Sequence, residues 1–155
     1  MTAFENALNT LLVGVYRDLE VLEEKMVHAS RLNLSISEIH MLEAVQCSST
    51  DKAATISDLS EYLGISLPSA TLSIKKLAAK GFVTRQKCPH DGRVVEVSLT
   101  ASGKRAERVH QYFHHNMVRS ISREMTEHEK DVLLDSIVKL DQFLKRNIQK
   151  YTKKK

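Results

Sequence analysis

Thr55 to Thr100 reads TISDLSEYLGISLPSATLSIKKLAAKGFVTRQKCPHDGRVVEVSLT, and the order of signals in it decides the fold. Thr55-Ile-Ser-Asp58 has the spacing of a helix-opening box, in which a hydroxyl and a carboxylate satisfy early backbone amides, and Gly64 closes the short helix it predicts. Ser66 caps the next helix, Pro68 sits in its first turn where a missing amide costs little, and Gly81 after Lys80 is a left-handed stop. Phe82 to Lys87 and Val94 to Leu99 read as strands, the second alternating Val95, Val97 and Leu99 against Val94, Glu96 and Ser98. Asp91-Gly92 supplies a tight turn between them. Two short helices split by a glycine turn, followed by a hairpin with a basic tip, predict a winged helix-turn-helix: a mainly α fold with a small β-hairpin wing.

Outward from this module the chain is helical. Phe4 to Met26 carries Leu8, Leu11, Leu12, Val15, Leu19, Leu22 and Met26 at helical period. Ser35-Ile-Ser-Glu38 is a capping box for a helix to about Cys47, and Ser48 to Ala54 reads as a polar loop. Thr100 caps a long helix through about Met125. Thr126 and Glu129 open a last one, with Leu133, Ile137, Leu140, Leu144 and Ile148 along one stripe. The expected organisation is a single domain over residues 1–155, with a winged lobe at 35–100 and flanking helices at 1–30 and 101–150.

Composition narrows the function. Of 155 residues, 42% are apolar and 27% charged, an ordinary globular balance, and no apolar run approaches a bilayer-spanning length. The start of the chain lacks the basic opening of a signal peptide, so a cytoplasmic protein without a membrane partner is expected. The net charge of +4 is distributed unevenly. Lys75, Lys76, Lys80, Arg85, Lys87 and Arg93 crowd together with Asp91 as the sole acid between Lys75 and Arg93, an electrostatic footprint for nucleic acid. The Lys153-Lys154-Lys155 tail reads as a solvated end. No phosphate-cradling glycine loop and no nucleophile elbow occur, which argues against an enzyme and leaves no catalytic residue to name.

Ala70, Ile74 and Leu77 recur at helical spacing and should face the core. The opposite face then offers Ser66, Pro68, Ser69, Thr71, Leu72, Lys75 and Lys76 to DNA. Hydroxyls can bond base edges or phosphates, an apolar group can meet a thymine methyl, and lysines neutralise phosphate. Arg85 adds charge on the first strand. At the hairpin tip, Pro89-His-Asp-Gly-Arg93, an arginine can enter the narrow minor groove beside the helix, with Asp91 placed to accept its guanidinium hydrogen bonds.

The run Ser66 to Thr71, the pattern Leu77-x-x-Lys80-Gly81-x-Val83 with Arg85, Asp91-Gly-Arg-Val-Val and Leu99-Thr100 together resemble the MarR family of dimeric winged-helix regulators. The resemblance implies a homodimer on double-stranded DNA, with the first and last two helices forming the dimer interface and an effector pocket where they meet the DNA-binding lobe. It implies that Arg93 enters the minor groove and Asp91 orients it. Many relatives carry an arginine where this chain has Leu72. Within the family, Ser-Ile-Ser-Glu-Ile-His40 and His110-x-x-x-His114-x-x-Met117-Val118 are similar to the branch of fatty-acid-synthesis repressors. That branch implies a transcriptional repressor whose DNA affinity is raised by long-chain acyl groups on acyl carrier protein. Leu19, Leu22, Met26, His40, His110, Phe113, His114 and Met117 are the corresponding effector-pocket candidates, and no cofactor is implied.

Two alternatives use the same helices. A MarR-type regulator of another small hydrophobic or phenolic ligand would need only the apolar part of that pocket. His110 and His114, four apart on one helix face, can share an ion, and with His40 they are similar to the zinc-sensing branch of the family, with Glu20, Glu23 or Glu24 as an oxygen donor. The zinc reading names His40, His110 and His114, whereas the lipid reading expects no metal. Cys47 closes an apolar helix face and reads as a small buried hydrophobe, while Cys88 lies at the wing base near Arg85 and Lys87.

Overall fold

The computed structural model describes residues 1–49, 53–89 and 91–152. Six helices and three short strands follow one another as α1 (Ala3–Ser30), α2 (Ile36–Ser48), β1 (Ala54–Thr55), α3 (Ile56–Leu63), α4 (Leu67–Ala79), β2 (Val83–Lys87), β3 (Val95–Leu99), α5 (Ala101–Arg123) and α6 (Glu127–Thr152). Helix starts are fixed by local chemistry. Thr2 with Glu5, Ser35 with Glu38, and Thr55 with Asp58 form reciprocal capping boxes. The Ser66 hydroxyl accepts from the Ser69 amide, the Thr100 hydroxyl from the Gly103 amide, and the Thr126 hydroxyl from the Glu129 amide. Each such cap is worth about 1 kcal/mol. Gly64, at φ 64°, ends α3 in the left-handed region, and Gly81, at φ 80°, turns the chain after α4.

The strands form one antiparallel sheet in the order β1-β3-β2, with Val83 opposite Leu99, Arg85 opposite Val97 and Ala54 opposite Val97 on the other edge. Ile39, Leu42 and Val45 of α2, Leu59 of α3, Ala70, Ile74 and Leu77 of α4, Val97 of β3 and Ala106 of α5 make the core of this lobe. The chain divides into two compact units, Met1–Phe113 and His114–Lys155, with the boundary inside α5. Ala70, Ile74 and Leu77 face inward as their spacing predicts. No described residue of α6 is buried within the single chain.

Two features depart from the expectations above, and a third, at Gly103, is added by the packing. The stretch taken as a loop from Ser48 to Ala54 ends in a strand, because Ala54 and Thr55 complete the sheet beside β3; residues 50–52 lie outside the described residues. Cys47 is exposed rather than buried. It stands off the α2 face that carries Leu42 and Val45 into the core, and its side chain meets Tyr62 of α3 in a hydrogen bond that pushes the phenol pKa up to about 12. Gly103, inside α5, packs so close to the chain entering the wing that a Cβ there would stand 2.1 Å from the Phe82 carbonyl oxygen.

Candidate nucleic-acid interface

The outer face of α4 holds the residues expected there. Ser66, Pro68, Ser69, Leu72, Lys75 and Lys76 are exposed and Thr71 is half-buried. Their hydrogen bonding is informative. The Ser66 and Ser69 hydroxyls lie 2.8 Å apart and bond each other, and the Thr71 hydroxyl donates to the Leu67 carbonyl at 2.8 Å. Three hydroxyls on this face are thereby tied to the helix's own first turn, while Leu72, 54% exposed, projects from the middle of it.

The wing is β2, β3 and the turn between them. Asp91 organises its tip through the main chain: one carboxylate oxygen accepts from the Arg93 amide at 2.9 Å, and the Val94 amide donates to the Asp91 carbonyl at 3.0 Å. This Asp-Gly turn presents the exposed Arg93. The sequence reading expected the aspartate to hold the guanidinium itself; the structure gives it a main-chain role. His90 of the tip lies outside the described residues. Arg85 projects from β2, exposed, while Cys88 is half-buried and its amide closes the hairpin onto the Val94 carbonyl.

Lys80 is the one cation of the footprint with a different task. Its Nζ donates to the Glu38 carboxylate at 2.8 Å and to the Asn33 carbonyl at 3.0 Å, tying the end of α4 to the turn before α2. Burial pushes the Glu38 carboxyl upward, but the bonds from Lys80 and Ser35 outweigh it and hold the group below the ordinary range. Between this tie and the α4 face lies an open cavity of about 680 Å³, lined by Ser37, His40, Met41, Ile65, Leu72, Ser73 and Lys76 among others.

The candidate effector residues separate into groups. His40 and His110 come together, with ring centroids 5.6 Å apart, and Glu23 Oε2 lies 3.4 Å from His40 Nε2. One donor atom from each of Glu23, His40 and His110 falls within 4.8 Å of the others. His110 is 2% exposed. Among the three first-helix glutamates the sequence left open, the helix phase selects Glu23; only the packing of α1 on α2 could decide this. A cavity of about 400 Å³ beside this cluster is lined by Tyr16, Arg17, Glu20, Val21, Glu24, Ile36 and Ser37 as well as Glu23 and His40, a mixed lining of carboxylates and apolar side chains. Leu19 and Leu22 are 38% and 43% exposed, and Met26 packs against the lobe core. Phe113 ends the first compact unit, half-buried, while His114 and Met117, also half-buried, belong to the second.

Helix, turn, capped second helix and basic wing, with an uncovered outer face on that second helix, define the class of winged helix-turn-helix proteins. The MarR family profile matches residues 34–95. The chain is 30% identical to Streptococcus pneumoniae FabT, solved in complex with DNA, over 92% of this chain and 98% of that one, with a TM-score of 0.86. It shares its fold with the Staphylococcus aureus MepR–DNA complex, at 16% identity over 86% and 94% of the two chains and a TM-score of 0.70. It is 24% identical over 111 residues to the uncharacterized HTH-type transcriptional regulator YhjH of Bacillus subtilis, a match that spans 72% of this chain and 59% of that relative. The chain belongs to the MarR family, a family of DNA-binding transcription regulators and not of enzymes. Among the described residues no helix is long and apolar enough to cross a membrane.

Proposed function

We propose that the protein is a homodimeric, sequence-specific transcriptional repressor that binds a pseudo-palindromic operator in double-stranded DNA and controls fatty-acid-synthesis genes in response to long-chain acyl groups on acyl carrier protein. The observation that carries the DNA-binding part is the pairing of an exposed α4 face with an exposed Arg93 held on an ordered Asp-Gly turn. A helix in the major groove and an arginine in the adjoining minor groove need these two elements and nothing else from one lobe. The likeness to a DNA-bound FabT over nearly both chains supports the fatty-acid assignment. Homodimerisation is supported by the apolar residues that α1 and α6 leave uncovered, among them Leu11, Val15, Ile137 and Leu144. Arg93→Ala should weaken operator binding by about 1–3 kcal/mol, and Lys75→Ala should mainly flatten its salt dependence. Unchanged affinity of Arg93→Ala at physiological salt would overturn the wing assignment. For the effector, acyl carrier protein carrying a long chain should tighten operator binding more than the short-chain or unloaded forms, and equal retardation by all three would remove this part of the proposal.

A second reading, a zinc-responsive repressor, is favoured by one observation, the convergence of Glu23, His40 and His110. Donors on a tetrahedral zinc ion stand about 3.3 Å apart, given metal–ligand distances of roughly 2.0–2.1 Å. The 3.4 Å between Glu23 Oε2 and His40 Nε2 matches that spacing, and a donor atom of His110 lies within 4.8 Å of both side chains' donors. His114, which the sequence also offered to this reading, is not among the three groups that converge. Zinc there would tie α1, α2 and α5 together and hold both imidazoles neutral. The lipid reading expects operator binding to survive excess chelator. Loss of binding on chelation, restored by zinc and abolished in His110→Ala, would establish the zinc reading in its place.

A further inference from the structure

We infer that Leu72 is the specificity-determining residue of the recognition helix, and that it reads each operator half-site by packing on the C5-methyl group of a thymine. The inference rests on the proposed operator binding and adds what that binding recognises. At 3.6 residues per turn, Leu72 lies nearly opposite the fully buried Ala70, Ile74 and Leu77, so it stands on the line of α4 that a groove-bound helix brings closest to the base edges. Leu72 is 54% exposed and is not among the residues that form or pack against the lobe's core, so its side chain is available to a bound partner.

The neighbouring groups narrow the choice further. Ser66 and Ser69 share one hydrogen bond, which engages the proton of one of them, and the Thr71 hydroxyl donates its proton to the Leu67 carbonyl, so two of the three hydroxyl protons on this face are already turned to the helix itself. Pro68 offers no hydrogen bond from its ring. Lys75 and Lys76 are long, flexible cations, suited to phosphates more than to one base edge. In the major groove the feature that an aliphatic side chain can distinguish is the thymine methyl, which cytosine, adenine and guanine lack. Leu72 is thus matched to thymine by its apolar tip and by its place opposite the buried face of α4.

The test replaces thymine by deoxyuridine, which removes the methyl group and keeps every base-pair hydrogen bond. An operator is first selected from a randomised duplex pool with the full-length protein, and each thymine is then substituted in turn, symmetrically in both half-sites. One position should weaken binding by about fourfold per half-site, the cost of leaving one methyl unburied. In Leu72→Ala the thymine and uracil operators should bind equally, whereas Leu72→Met, which keeps an apolar tip, should retain discrimination. If no thymine is sensitive, or if Leu72→Ala keeps the full uracil penalty, the inference is overturned. These outcomes are separable from failure of the operator reading, which would appear as a pool that yields no enriched sequence and an Arg93→Ala variant indistinguishable from the parent.

Discussion

The winged lobe and the flanking helices solve the problem of burying apolar surface in opposite ways. In the lobe, Ile39, Leu42, Leu59, Ile74, Leu77 and Val97 are all within 1% of full burial inside one chain. On α1 and α6 the apolar stripes are equally regular, yet Leu11, Val15, Ile137 and Leu144 remain exposed, and among the 28 residues of α1 Val27 alone is buried. At about 1.5–3 kcal/mol for burying a side chain of this size, the exposed stripes hold stabilisation that a single copy does not realise. The lobe is sufficient in itself, and the flanking helices are sufficient only when something covers them. The proposed dimer supplies that cover, and it makes DNA affinity depend on residues remote from DNA.

The sharpest way to break this contrast is to charge a flanking stripe. Ile137→Asp on α6 should convert the dimer to monomer in sedimentation equilibrium, with the lobe's near-UV signal preserved. Because one lobe then binds without its twin, operator affinity should fall by about 100-fold or more. A monomer with undiminished operator affinity, or a dimer that tolerates the aspartate, would show that α6 does not mediate association.

A smaller but still large effect should follow from the opposite kind of change, inside the lobe. The Phe82 carbonyl accepts the Thr100 amide at 3.0 Å and the Thr100 hydroxyl at 3.1 Å, and the Gly103 Cα fits over the same oxygen. A Cβ only 2.1 Å from that backbone atom cannot be relieved by turning a side chain. Gly103→Ala should therefore cost about 2–4 kcal/mol even though alanine is the better helix former by about 1 kcal/mol. Calorimetry of the variant checks this, and a melting temperature at or above the parent's would mean that α5 can shift away from the wing without loss.

How far the sequence disclosed these features follows from how local their causes are. The starts of α2 to α6 were legible, since a cap and its partner lie three residues apart, as do Ser35 with Glu38 and Thr126 with Glu129, whereas the apolar stripe from Phe4 gave no sign of the Thr2–Glu5 box that opens α1. The buried face of α4 followed from period alone. What could not be read were contacts set by packing: β1 joining β3, Cys47 meeting Tyr62, and Glu23 rather than Glu20 or Glu24 reaching His40. Gly103 left a signal in the sequence, because a glycine inside a helical pattern carries a cost that needs a reason. The Asp91 contact was half legible: the Asp-Gly turn was, but not that the carboxylate would take the Arg93 amide.

The finest test of the lobe's self-sufficiency compares its two buried glutamates, Glu38 at 8% exposure and Glu107 at 4%. Glu38 is held below the ordinary carboxylate range, burial being outweighed by Lys80 and Ser35, whereas Glu107 is held above it, first by burial and then by the charge of Glu43. One Glu107 oxygen also has no hydrogen-bond partner. The signs of their pH dependence are opposite. Glu38 contributes stability above the unfolded value of ~4.3, and the contribution is lost as pH falls through its lowered folded value. Glu107 costs nothing while both states are protonated. Its penalty develops as pH rises past ~4.3, where the unfolded chain ionises first, and is complete once the native carboxyl has ionised as well. Glu107→Gln should then raise stability at pH 7 by about 1 kcal/mol, the scale of an unsatisfied buried group, and should change nothing below pH ~4. Glu38→Gln should lower stability at pH 7 by about 1–2 kcal/mol, reduced by the partial exposure of Lys80, and flatten the acid limb. Urea denaturation across this pH range separates the two. If Glu107→Gln instead lost stability at pH 7, Gln111 and Arg108, which favour the carboxylate, would outweigh its burial and the charge of Glu43.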